Sequence, residues 1–212
     1  MIKAIETVYN GYKFRSRLEA RWAVFFDAGG VPYEYEPEGF DINGVWYLPD
    51  FSCPTLNALV EIKPDKNEVY SEEWDILCEL CASLGKSAML IQGSPGCCGK
   101  PYDEGCIESS PYKVMWLSCQ PDDEPYLEGY FLECRGADDT QPLIIQIFEP
   151  DYGSSSIVYP PYCGKCEYLG WKKHCHDSWP INTPKLTKCL EKARQARFEH
   201  GETPNPNGGQ AI

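Results

Sequence analysis

Two carboxylates and a lysine stand out by their order and spacing. Pro49-Asp50 closes an aromatic stretch, and Glu61-Ile62-Lys63 follows inside an apolar run, with Glu61 eleven residues after Asp50. A strand has a side-chain period of two, so Glu61 and Lys63 share one face and Val60 and Ile62 point to the other, into a core. A turn around Pro54-Thr55-Leu56-Asn57 folds the two stretches into a hairpin and brings Asp50 beside Glu61. Two converging carboxylates make an oxygen-rich site for a hard divalent ion such as Mg2+ or Mn2+. Such an ion polarises a phosphoryl oxygen and lowers the pKa of a bound water. Lys63 can position or activate that water, or stabilise the developing charge.

A third carboxylate, Glu19, lies upstream. Ser16 caps a helix over 16–28, stopped by Gly29-Gly30, with Leu18, Trp22, Phe25 and Phe26 as its apolar stripe. Glu19 on that helix can add a metal ligand or orient a water. Ser16-x-x-Glu19 is equally a capping box, in which the Glu folds back on the helix start. Arg15, Arg17 and Arg21 are either a solvated face or contacts to a phosphate backbone. Asp50, Glu61 and Lys63 also have ordinary readings, as a turn residue and a solvated strand face.

The rest of the first 93 residues completes the frame. Residues 1–12 read as a lead-in ending in a turn at Asn10-Gly11. Strands are expected over 33–40, 45–53 and 58–63, with a strong hairpin turn at Asn43-Gly44. Ser71 caps a second helix through 84, closed by Gly85, with Trp74, Leu77, Cys81 and Leu84 on its buried side. Cys78 and Cys81 fit that helix as small core residues. A strand over 86–92 gives the order αβββαβ.

The ordered set RSRLEARW, YEPEGF, YLPDF and EIK resembles the PD-(D/E)XK nuclease superfamily, and within it the phage-type Holliday-junction resolving endonucleases. It is also similar to the endonuclease subunit of cut-and-paste transposons. The resemblance covers residues 9–93 and extends weakly to ARQARFEHGE near the C-terminus. It implies an α/β, restriction-endonuclease-like αβββαβ core and metal-dependent hydrolysis of DNA phosphodiesters, with branched DNA as the substrate. The implied site is Glu19, Asp50, Glu61 and Lys63, with Mg2+ or Mn2+ on Asp50 and Glu61 assisted by Glu19. It also implies a phage or mobile-element setting inside a bacterial cell, and a homodimer. Pro64 stands where relatives often carry Gly, which alters the strand exit rather than the chemistry.

Composition bounds these expectations. The chain has 212 residues, enough for one core with appendages, and carries a net charge of -13. That charge opposes generic electrostatic binding to DNA. It is unevenly spread, however. Residues 96–162 hold 12 acidic and 3 basic side chains, whereas residues 163–200 hold 8 basic and 4 acidic. No apolar stretch has the length of a membrane span, and the opening MIKAIETVYNGYKF has no secretory core, so a cytoplasmic location is expected. Twelve Cys in such a setting read as metal ligands and buried thiols rather than a disulfide framework.

Beyond residue 93 the pattern changes. Residues 94–160 form an acidic, β-rich segment, with strands expected over 112–119, 126–134, 143–148 and 157–159. They either extend the sheet antiparallel or form a small added module. The acidic surface is solubilising or a docking face for a basic protein partner. Residues 161–200 carry a zinc-knuckle-like set: Cys163 and Cys166, then His174, Cys175 and His176. Zinc requires four such ligands, and the fourth is either the second His or a Cys of the middle segment, which holds Cys97, Cys98, Cys106, Cys119 and Cys134. Thr183-Pro184 starts a helix running to 200. Its apolar side is Leu186, Cys189, Leu190 and Ala193, and its basic side includes Lys185, Lys188, Lys192, Arg194 and Arg197. Residues 201–212 have the composition of a disordered tail.

Two functions follow as expectations. One is a metal-dependent DNA endonuclease with a structural zinc. The other is an acidic, zinc-stabilised protein-binding module, such as an inhibitor of a host defence system, built on a nuclease-like scaffold.

Overall fold

The hairpin that carries Asp50 and Glu61 forms as its turn residues dictate. In the computed structural model, which describes residues 5–64, 72–96, 111–117, 119, 126–133, 145–148, 155–157 and 184–198, Pro54–Leu56 makes one 3-10 turn and Asn57 closes it with φ 46°. Asn tolerates this left-handed conformation better than other side chains do. Strand β6 (Phe51–Cys53) then pairs antiparallel with β7 (Ala58–Lys63), Phe51 opposite Val60.

From β7 the chain crosses through α2 (Glu72–Leu84) to β8 (Ser87–Gly93), which lies parallel to β7. A parallel neighbour needs such a crossover, and a helix supplies it. Beyond β8 the sheet is extended antiparallel by β9 (Tyr112–Leu117), β10 (Tyr126–Glu133), β11 (Ile145–Phe148) and β12 (Ser155–Ile157). The acidic segment therefore joins the main sheet instead of forming a separate module. On the far edge β3 (Glu34–Tyr35) pairs with β6, which gives the strand order β12-β11-β10-β9-β8-β7-β6-β3. The protein is mixed α/β with a mixed sheet.

Apolar residues cover both faces. Ala58, Val60, Ile62, Met89, Ile91, Val114 and Trp116 meet α1 (Arg17–Gly29) and α3 (Pro184–Gln195) on one face. Leu59, Leu90 and Met115 meet α2 on the other, through Trp74, Leu77, Leu80 and Cys81. Helix α1 is held by Trp22, Phe25 and Phe26, all fully buried, and the Trp22 indole donates to the Gly93 carbonyl at 3.0 Å. Helix α3 packs against α1 with Leu186, Cys189, Leu190 and Ala193, the four residues its periodicity selects.

Several boundaries differ from the sequence reading, each for a local reason. The lead-in is itself a hairpin, β1 (Thr7–Tyr9) with β2 (Tyr12–Phe14), across the expected Asn10-Gly11 turn. The strand expected over 33–40 breaks after Tyr35, because Glu36 turns left-handed (φ 45°) and Pro37 has no N–H for a ladder. The strand expected over 45–53 divides at Pro49 for the same reason. Its first part, β5 (Val45–Tyr47), pairs with β4 (Phe40–Ile42) in a separate two-stranded hairpin around Asn43-Gly44. On α2, Leu84, the last helical residue, is exposed, and Leu80 takes the core position. Helix α3 ends at Gln195 rather than at 200, and Ala196 and Phe198 return to the core without helical structure. The proposed zinc ligands Cys163, Cys166, His174, Cys175 and His176, together with Cys97, Cys98, Cys106 and Cys134, lie outside the described residues.

The packing of α3 yields a direct expectation. Leu190 is 1% exposed within the α1 side of the core, so Leu190→Ala should cost about 2–5 kcal/mol of stability in urea unfolding. A loss near zero would mean that α3 is only loosely docked.

Candidate active site

The break at Pro49 sets the position of Asp50. Freed from the ladder at the start of β6, the Asp50 carboxylate turns inward and its Oδ2 accepts the backbone N–H of Ile62 at 2.8 Å. The β6–β7 register brings it next to Glu61. Both side chains are buried, at 3% and 8% exposure. Burial first, then the charges of Glu61 and Glu19, push the Asp50 carboxyl well above the ordinary carboxylate range, while the Ile62 N–H and Arg15 pull the other way.

Glu61 is held from two directions. Its Oε2 accepts from the Tyr47 hydroxyl at 2.9 Å, and its Oε1 meets the Lys63 ammonium at 3.2 Å. Lys63 also faces Glu73 of α2 at 3.8 Å. Burial alone would lower the Lys63 pKa, but Glu61, Glu73 and Asp50 outweigh it and hold the pKa above its usual value. The side chain is therefore a fixed ammonium at neutral pH. Gln92, 2% exposed, lies beside Lys63 in the β7–β8 register.

Glu19, in the first turn of α1, makes the contacts of a capping residue. Its Oε1 accepts from the Ser16 hydroxyl at 2.6 Å, and its Oε2 accepts from the Arg15 N–H at 3.1 Å and the Tyr35 hydroxyl at 2.6 Å. Ser16 Oγ in turn accepts the Glu19 N–H at 3.2 Å. This is a variant capping box, with the reciprocal bond going to the residue before the cap. Its charge still reaches Asp50. Among the described residues no three His, Cys, Asp or Glu side chains converge as a complete metal cluster.

Arg15 bridges two acids while its side chain stays about half exposed. Its Nη2 lies 2.5 Å from Asp50 Oδ1 and its Nε 2.7 Å from Glu36 Oε1. Arg17 and Arg21 are half-buried on α1. Lys188, Arg194 and Arg197 are exposed, and Lys185 and Lys192 half-buried, in or just after α3. That helix covers the face of the sheet opposite the one bearing Glu61 and Lys63. The fold thus unites Asp50, Glu61 and Lys63, with Glu19 adjoining, and leaves the α3 basic residues apart.

No family model, curated protein or solved structure matches the chain. What the site can do is argued from its own geometry. Four residues around it carry no role in the sequence reading: Gln92, and Tyr35, Glu36 and Tyr47, which stand in the YEPEGF and YLPDF stretches. Gln92 left its own signal, as a polar residue at the end of an otherwise apolar strand.

The donor set fits a hard divalent ion. Two buried carboxylates are neighbours across the β6–β7 pairing, each oxygen with one hydrogen-bond or ion-pair partner and spare lone pairs, and burial together with the charges of Glu61 and Glu19 raises the Asp50 carboxyl. A cation held by one or two carboxylates is the usual arrangement for Mg2+.

Two expectations follow for the protein held in EDTA. A carboxyl whose pKa is raised by folding contributes most below its unfolded value, near pH 3.9, and loses that contribution as pH rises through the higher folded value. Asp50→Asn keeps an acceptor for Ile62 and removes the repulsion. It should raise stability at pH 7 by about 1–3 kcal/mol and flatten its decline between mildly acidic and neutral pH, read from urea unfolding at several pH values. Glu19→Ala should instead lower stability by about 1–3 kcal/mol, because the Tyr35 and Ser16 hydroxyls lose their acceptor, while the Arg15 N–H keeps only the Tyr35 oxygen. Unchanged stability would show that the cap contacts contribute nothing.

Proposed function

We propose that the protein is a metal-dependent endonuclease that hydrolyses DNA phosphodiester bonds, with a restriction-endonuclease-like core formed by α1, β3, β6, β7, α2 and β8. The observation that carries this reading is the buried pair Asp50 and Glu61 beside a fixed ammonium, Lys63, 3.2 Å from Glu61. Asp50 and Glu61 would hold Mg2+ or Mn2+. When bound, the ion supplies Lewis-acid polarisation of a phosphoryl oxygen and a more acidic water.

The chain's own residues do the rest. The Ile62 N–H and the Tyr47 hydroxyl fix the two carboxylates so that they cannot turn away. Lys63 would act as a charge and hydrogen-bond donor to the phosphate, or position or activate the attacking water. Glu19 acts through Arg15 and Tyr35 by setting the start of α1 against the site. Arg15 balances Asp50 and, with its guanidinium about half exposed, could also meet a phosphate oxygen of the substrate. A structural Zn2+ on Cys163, Cys166 and residues of the His174-Cys175-His176 set belongs to the same proposal on spacing alone. So do a homodimer, a branched-DNA substrate and a bacterial cytoplasm. Among the described residues no helix is long and apolar enough to cross a membrane.

Supercoiled plasmid and a four-way junction, incubated with Mg2+ or Mn2+, test the reading. Wild type should cut at least one of them. Glu61→Ala should abolish cutting, and Lys63→Ala should slow it roughly 100-fold or more. No cutting by folded protein, with binding to a basic protein partner undiminished by Asp50→Ala, would favour the acidic binding module instead.

A further inference from the structure

A chain of net charge -13 can hold DNA at the Asp50 and Glu61 site only if cations stand on that face of the sheet. The basic side of α3 belongs to the opposite face. The strand register supplies a different cation. Lys63 of β7 lies opposite Gln92 of β8, and Gln92 lies opposite Lys113 of β9. Leu59, Leu90 and Met115, each an even number of residues away on the same three strands, pack toward α2. Side chains alternate along a strand, so Lys63, Gln92 and Lys113 form one row on the face that bears Glu61. The row crosses the carboxyl ends of the parallel strands β7 and β8, beside the first turn of α2, where Glu73 meets Lys63. In open α/β sheets ligands bind at that end of the strands.

The three members of the row differ in charge. Lys63 is engaged with Glu61 and Glu73. Gln92, 2% exposed, is a neutral amide where an acid would cancel the charge of its neighbours. Lys113 is half-buried, and burial pulls its pKa below the ordinary lysine value, so its ammonium has already lost part of its water and gains by meeting an anion. Two strand spacings separate Lys113 from Lys63, about 10 Å, which is roughly three nucleotide steps along one strand of a duplex.

We propose that Lys113 contacts a backbone phosphate of the bound DNA, a few nucleotides along the strand from the phosphate held at Asp50 and Glu61. The proposal deepens the endonuclease reading and rests on it. A lysine meets a phosphate as a point charge and reads no base, so the contact adds affinity and holds the strand in place without selecting a sequence.

The test uses the full chain carrying Asp50→Asn, in EDTA, so that DNA binds without being cut and without the charge of that carboxylate. Fluorescence anisotropy with a labelled four-way junction and a blunt duplex gives affinity across a KCl series. Lys113→Met keeps the apolar stem and removes the charge. It should weaken binding to both DNAs by roughly 3- to 30-fold and lower the slope of log affinity against log salt by about 1. Lys113→Arg should keep both near their starting values. In Mg2+, Lys113→Met in the otherwise native chain should raise KM for plasmid and leave kcat nearly unchanged. Lys86→Met, just before the other end of β8, should leave the salt slope as it was. An equal drop there would reduce the effect to net charge and overturn the contact. Unchanged affinity and slope for Lys113→Met, while wild type cuts plasmid and Glu61→Ala does not, also overturns it and leaves the endonuclease. Absence of binding by the Asp50→Asn chain together with absence of cutting by wild type removes both readings.

Discussion

Asp50 is held between the Ile62 N–H and the Arg15 guanidinium, against the charge of Glu61, and the surrounding structure is arranged around that conflict. A buried carboxylate is costly unless it is paired and hydrogen-bonded. A second one beside it makes the cost larger, because like charges at close range in a poorly solvated site repel strongly. The protein meets this with internal donors from several directions: a backbone N–H from β7, a guanidinium from the start of α1, a hydroxyl from the β4–β5 hairpin and an ammonium from β7 itself. Each supports one oxygen. Together they tie the start of α1 and a separate hairpin to β6 and β7.

This arrangement explains why irregular backbone gathers near the site. Glu36 takes a left-handed conformation that side chains other than Gly, Asn and Asp rarely adopt, and its N–H reaches the Asp50 carbonyl at 2.9 Å. The same residue receives Arg15. The strand interruption, the unusual φ and the ion pair thus form one local unit that fixes the approach to Asp50. Strain of this kind persists where surrounding contacts hold it, and active sites are a common place for it.

Secondary structure was legible where a single local rule dominated. The Asn43-Gly44 turn, the Ser16 cap, the glycines that close α1 and α2, and the alternation of Val60 and Ile62 against Glu61 and Lys63 all follow from near-neighbour geometry. Helix α3 disclosed its inner side through periodicity, although its docking partner α1 lies far away in sequence. Strand limits were less legible. A continuous aromatic run promises pairing, but Pro37 and Pro49 withhold a donor, and which sheet each fragment then joins depends on partners that are remote in the chain.

The sequence by itself determined the donor types and their order: Asp50, Glu61 and Lys63, the strand period that sends Glu61 and Lys63 to one face, and the turn that returns β7 to β6. Period and turn chemistry act over a few residues, so they survive in the one-dimensional record. Only the tertiary structure decided which neighbours those groups meet. It gave Glu19 its capping contacts, set Arg15 against Asp50 and Glu36, and brought Tyr35, Tyr47 and Gln92 from three separate strands. Buried charge must be compensated by whatever donors the packing places within hydrogen-bond reach, and that choice depends on distance in space rather than on position in the sequence.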